Sequence, residues 1–279
     1  ARENVTQVMG AILGELRQRA RTALQDSFSP KFIDSMDLDK TAHIALNSAL
    51  SDLCSQLDKP LILLIDEIDA LVGDSLISVL RQLRAGYDKR PENFPSSVIL
   101  CGVRDVRDYR IHSSSHKDPI TGGSAFNIKA KSLTVGNFSQ SDIKTLLSEH
   151  TQETGQVFEE PIYELFWEYT QGQPWLVNAL AYEACFEMPE GKNRTRPITA
   201  EIIARAKETL ILRRDTHLDQ LTDKLHEDRV RRVIQPVLAG EAHSMNLHPD
   251  DVQYCVDLGL VTQKTNGVVS IANKIYQEV

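Results

Sequence analysis

The stretch Leu61-Ile62-Leu63-Leu64-Ile65-Asp66-Glu67-Ile68-Asp69 decides how this chain is read. A short apolar run, bounded by Pro60 and by an acidic pair, has the length and composition of a buried strand. Asp66 and Glu67 stand where that strand leaves the core, and ligands of doubly wound sheets bind at the carboxyl edge. A carboxylate there holds Mg²⁺ through the metal's water shell, and a neighbouring glutamate orients or deprotonates an attacking water. The plainer account is a helix N-cap with favourable first-turn charge. The wholly apolar run before the pair favours the metal-and-water reading. The usual complement is a GxxxxGK[ST] loop whose backbone N–H groups cradle phosphates. No glycine in the chain, Gly10, Gly14, Gly122 and Gly123 included, has Lys-Ser/Thr at that offset.

Around this strand the pattern alternates between strand and helix. Val5, Val8, Met9, Ile12, Leu13, Leu16, Ala20 and Leu24 recur at helical spacing over 3–24. A second helix over 40–57 stops at Lys59-Pro60, because the residue before proline disfavours the helical region. A third, over 74–85, carries Leu76, Ile77, Leu80 and Leu83 on one face and leads to an apolar strand over 97–103. Two such strands separated by a helix predict a parallel sheet covered on both faces. A short strand over 131–135 is predicted to close it. Helices follow over 139–151, 160–170, 174–187 and 198–213, then over 226–239 and 248–258. Asn266-Gly267 between apolar residues is a hairpin signal. Helix, helix and two-stranded ribbon outline a winged helix.

The chain of 279 residues is 41% hydrophobic and 25% charged, ordinary values for a soluble globular protein. A net charge of −8 argues against a generic binder of nucleic acid or acidic membrane. No apolar run reaches the roughly 18 residues of a membrane span. Cys54, Cys101, Cys185 and Cys255 are far apart and lack metal-ligand spacing, so they read as reduced, buried thiols of a cytoplasmic protein.

The apolar strand ending in Asp66-Glu67-Ile68-Asp69, the second strand ending in Gly102-Val103-Arg104-Asp105, the helical Gln171-Gly172-Gln173-Pro174-Trp175 segment and the terminal winged-helix-like unit together resemble AAA-like P-loop ATPases. The resemblance is nearest to prokaryotic signal-transduction (STAND) and initiator-like branches. It implies an α/β fold: a partial doubly wound core over 1–136, an all-helical lid over 137–212 and a winged-helix-like domain over 213–279. It implies ATP and Mg²⁺ as cofactors, with Asp66 the metal-associated acid and Glu67 the water-activating acid of the Walker B strand. Arg104 matches the sensor of the γ-phosphate, a task suited to a planar, permanently charged guanidinium. Pro174 matches the lid proline near adenine, with Gly172 allowing close approach. The first strand and phosphate loop are then expected upstream of Ala1. The whole protein would bind ATP or ADP as a conformational switch with a protein partner or self-association. The chain alone would not hydrolyse ATP.

Two other readings stand beside this one: a regulatory scaffold that kept the fold and lost the chemistry, and a DNA-associated initiator-like ATPase. Arg229, Arg231 and Arg232, with Arg213 and Arg214, form a basic cluster. Yet the candidate recognition helix offers Asp250, Asp251 and Asp257 with Gln253 as its reader. Residues 210–279 hold eight Lys/Arg against ten Asp/Glu, a net of −2 that repels a phosphate backbone. DNA is therefore the less favoured partner. Arg107 and Arg110 read as solvated loop charge before an arginine finger. His112 and His116 flank three serines without the glutamate that a zinc helix carries, so a metal site there is disfavoured. The apolar stripe from Trp175 to Phe186 reads as core.

Overall fold

The computed structural model describes residues 4–24, 37–103, 111–112, 119–120, 131–213, 216–240 and 247–279. The chain is mixed α/β and divides into two compact units, Ala1–Leu133 and Thr134–Val279. In the first unit, helices α1 (Val5–Leu24), α2 (Leu38–Thr41) and α3 (Ala45–Ser55) precede strand β1 (Ile62–Ile65). Helix α4 (Gly73–Ala85) then crosses to strand β2 (Ser97–Leu100), and two-residue strands β3 (Ile111–His112) and β4 (Pro119–Ile120) pair antiparallel. Met9, Leu46, Leu50, Leu76, Leu80 and Phe94 fill the core between the helices.

Helix α3 has no side-chain cap of its own; its capping position is Ile44. Buried Gln82 on α4 supplies the missing acceptor. Its Oε1 accepts from the N–H groups of Leu46 (2.8 Å) and Asn47 (3.3 Å). Its Nε2 donates to the carbonyl of Ala42 (3.0 Å) and the hydroxyl of Ser78 (3.1 Å). One side chain thus satisfies the orphaned start of a helix that is distant in sequence.

Strands β1 and β2 are parallel, with Ile62 opposite Ser97 and Ile65 opposite Leu100. The crossover helix that the alternation predicts is present. The expected cover on both faces is not: Leu63, Ile65, Val98 and Leu100 pack on the core, while Ile62, Leu64 and Ile99 are 56%, 67% and 46% exposed. A strand over 131–135 is not formed either. That segment lacks regular structure, and Leu133 and Val135 are exposed. Its alternating apolar residues match a strand pattern, but a strand forms only where a neighbour accepts its hydrogen bonds.

The second unit opens on a bundle: α5 (Gln140–Thr154), α6 (Pro161–Thr170), α7 (Pro174–Tyr182), α8 (Pro189–Lys192) and α9 (Ala200–Arg213). Ser139 and Asp142 form a capping box on α5, and Gly155 ends it at φ 75°. The stripe after Trp175 is core at Leu176, Val177, Leu180, Ala184 and Cys185, while Tyr182 and Phe186, at the end of the predicted run, are exposed. Helix α7 runs into a π-helical turn, Glu183–Glu187. Buried Gln156 joins the end of α8 to the loop that follows it. Its Nε2 donates to the carbonyls of Gly191 and Arg196, each at 3.0 Å, and its Oε1 accepts from Arg194 at 2.7 Å. The Nε2 of His150 lies 3.0 Å from the same Oε1.

The C-terminal module comprises α10 (Thr216–Leu225), α11 (Asp228–Leu238), α12 (Pro249–Asp257), the antiparallel strands β5 (Val261–Gln263) and β6 (Val269–Ile271), and α13 (Lys274–Glu278). The hairpin signal at Asn266-Gly267 is correct: Gly267 takes φ 81°, and Asn266 Oδ1 accepts from Val268 N at 3.2 Å. The sequence pattern, with helices over 198–213 and 226–239, misses both α10 and α13. Cys54, Cys185 and Cys255 are buried, and burial pushes each thiol up to about 11. Cys101 departs from expectation and is exposed, because it lies past the last ladder residue of β2.

Two outcomes test this packing. Gln82→Leu keeps the side-chain bulk but strands buried N–H and C=O groups, and should cost about 2–4 kcal/mol in urea unfolding. In the C-terminal module, burial alone would raise the Glu227 carboxyl. Hydrogen bonds from Lys224 (2.7 Å) and Tyr254 (2.9 Å) outweigh burial and hold it below its ordinary value. Its contribution is complete above the unfolded value near ~4.3 and is lost as pH falls through the depressed folded value. Glu227→Gln should flatten that acid limb in pH-dependent unfolding; an unchanged limb would refute the assignment.

Candidate acidic turn at the end of the first strand

The site grows from three backbone hydrogen bonds and one to a side chain. Cys101, just past β2, donates its N–H to the carbonyl of Ile65 at 2.8 Å and accepts from the N–H of Ile68 at 3.0 Å. One residue of the second strand's end thus grips the first strand on both sides of Asp66-Glu67. The two residues between the grips must turn sharply. Asp66 Oδ1 accepts from Glu67 N at 2.9 Å, and the Glu67 carbonyl accepts from Ala70 N at 2.8 Å, opening a 3₁₀ turn over Ile68–Ala70. Buried Ile68 anchors the turn in the core.

Glu67 takes φ 51° and ψ 41°, a left-handed conformation that a residue with a Cβ adopts at a cost of about 1–3 kcal/mol. Such strain persists only where its surroundings over-determine it, and it concentrates at functional sites. Asp66 and Glu67 are both exposed at the carboxyl end of the parallel pair. With one Asp66 oxygen used by the turn, the other remains for a ligand. Hard carboxylate oxygens beside open solvent suit Mg²⁺, which keeps several of its waters.

Asp69 is separated from this pair. Its Oδ1 accepts from Val103 N at 3.4 Å, and a Cβ on Gly102 would lie 2.8 Å from that oxygen. Gly102 therefore lets the exit of β2 pass close to the turn. Arg104, the candidate sensor, lies outside the described residues, as do Arg107, Arg110, Arg214 and His116. Among the described residues there is no His/Cys/Asp/Glu group that could hold a metal by three or more direct ligands. Among them, too, no helix is long and apolar enough to cross a membrane.

Gly172 and Pro174 sit in the other unit, at the joint between α6 and α7. Gln171 and Gly172 are both left-handed, at φ 47° and 73°. The Gly172 carbonyl accepts from Phe138 N at 2.8 Å, and a Cβ on Gly172 would fall 2.0 Å from the Phe138 carbonyl oxygen. The close approach that demands glycine here is that of the chain's own backbone. Pro174 is the first residue of α7, where its missing N–H costs nothing, and the Gln173 side chain caps Leu176 N at 2.6 Å.

The basic cluster is largely neutralised within the C-terminal module, an arrangement the sequence did not disclose. Arg232 binds Asp251 Oδ2 through Nε (2.9 Å) and an NH₂ group (2.8 Å), and Arg229 Nε lies 3.6 Å from the other oxygen. The Arg229 guanidinium also stacks on the Tyr254 ring, 3.7 Å from its centroid. Arg231 pairs with Asp228, and Arg213 with Glu183. Asp251, read from sequence as an acidic face residue, is buried between these arginines and α12. No spacing within one helix could reveal a clamp made by two.

No protein-family model matches the sequence, and no curated protein matches it either. Among solved structures, it is similar to the Thermotoga maritima RuvB Holliday junction branch migration motor, with a TM-score of 0.44 and 15% identity. That match covers 83% of this chain and 74% of the other. Two mutants of the same protein give TM-scores of 0.43 and 0.44 at 13% and 16% identity, over the same shares. At these scores and identities the likeness decides neither family nor chemistry.

Proposed function

We propose that this chain is an AAA-like ATPase module of the STAND or initiator-like type, working as a nucleotide-dependent switch. The observation that carries the proposal is the left-handed Glu67. It follows Asp66 at the carboxyl end of a parallel strand and is held there by Cys101 from the neighbouring strand. In this reading Asp66 holds the water shell of Mg²⁺, Glu67 positions the attacking water, and Arg104 senses the γ-phosphate. The magnesium half of the site fits the residues present. The phosphate half does not, since residues 1–279 contain no GxxxxGK[ST] loop. Turnover therefore requires a segment that supplies the loop.

The test is ATP hydrolysis by a polypeptide in which a segment bearing that loop precedes Ala1. Glu67→Gln should lower kcat by roughly 10²–10⁴-fold, the range for loss of a general base, with ATP still bound. Equal rates would remove Glu67 from the chemistry and favour the scaffold reading. The DNA reading has a separate outcome. With Arg229, Arg231, Arg232 and Arg213 engaged by carboxylates, duplex binding at low salt should be weak and unchanged by Arg231→Gln/Arg232→Gln. Salt-dependent binding abolished by those substitutions would reverse that conclusion.

A further inference from the structure

Helix α13 belongs by sequence to the C-terminal module, but its buried side chain belongs to the bundle. Ile275 is fully buried in the core formed by Ile162, Phe166 and Leu210, and Tyr276 and Val279 touch both that core and the module's own. Two ion pairs lie along the same contact. Lys274 Nζ is 2.6 Å from Glu168 on α6, and Glu278 is 2.5 Å from the buried Lys207 on α9. Both ammonium groups also face the Tyr169 ring, 5.4 and 5.3 Å from its centroid. Glu208 shares Lys207 at 3.0 Å.

The connection into α13 has no slack. Ala272 N still donates to Leu260 O within the module at 3.0 Å. The next residue, buried Asn273, caps α13 by accepting from Tyr276 N at 2.9 Å. A displacement of the hairpin is thus passed to Ile275 within a few residues. The module's first helix makes the second attachment: Leu218 of α10 is buried in the bundle core, and Leu221 of the same helix in the module core.

The geometry points to α13 as a strap that locks the C-terminal module onto the helical bundle. Residues 134–279 then turn as one lever, and release of α13 frees the module to swing about its α10 attachment. The strap holds whether or not Asp66 and Glu67 bind a metal. It gives a partner that competes for Ile275's socket a way to uncouple the module without touching the acidic turn.

The test is the distance distribution between spin labels at Glu149 on α5 and Gln253 on α12, both exposed, in the full chain carrying Cys101→Ser. The native strap predicts one narrow distance. Ile275→Asp should abolish it in favour of a broad distribution while the emission of Trp167 and Trp175 stays that of a folded bundle. If that variant does not fold, Ile275→Ala, which leaves a cavity but adds no charge, should broaden the distance in the same direction. An unchanged narrow distance in the folded Ile275→Asp chain, or in Ile275→Ala where only that variant folds, would show that α10 alone fixes the module and would overturn the strap.

Discussion

The backbone of Cys101 is the point on which the geometry of the first unit's acidic turn depends. Its N–H and its carbonyl bind Ile65 and Ile68, so two residues must reverse direction within the space of one. The parallel register of β1 and β2 sets where Cys101 falls, and Leu76, Val79 and Leu80 of α4 lie in the core against which the inner strand face packs. Glu67 absorbs the resulting strain, and Ile68 holds it in place. The exposed carboxylates are therefore a consequence of sheet register, and a one-residue slip would turn them to other faces.

Much of this was legible from residue order. A short apolar run ending in carboxylates named both β1 and its acidic end, because strand length and burial are local properties. The helix spans of α4 to α7 and of α9 were likewise written in apolar spacing, and that of α8 was not. The bare face of the sheet was not. An apolar residue signals that it prefers burial, and whether a neighbour arrives to bury Leu64 or Ile99 depends on parts of the fold that the residue cannot report. Leu133 and Val135 show the same limit, since their alternation describes a strand that has no ladder to join.

The second unit shows how local signals acquire unexpected uses. Gly172 and Pro174 suggested a ligand turn. The glycine is required by the Phe138 carbonyl oxygen 2.0 Å from its would-be Cβ, and the proline begins a helix. A basic run on α11 suggested phosphate binding, and Asp251 engages two of its arginines from another helix. Long-range pairings of this kind also make the Gln82 and Gln156 hubs, each a single amide satisfying several backbone groups. None of them has a periodicity, so none could be read before the fold.

The central claim is that Asp66 and Glu67 form a magnesium and water half-site. The most direct measurement is paramagnetic broadening of backbone amide signals of the isotopically labelled chain, with Mn²⁺ and ATP replacing the magnesium nucleotide. The account predicts that amides of residues 66–68 and 101–103 broaden first, and that Asp66→Asn removes this effect while broadening at other surface carboxylates persists. Broadening spread evenly over the acidic surface, or unaffected by Asp66→Asn, would contradict it.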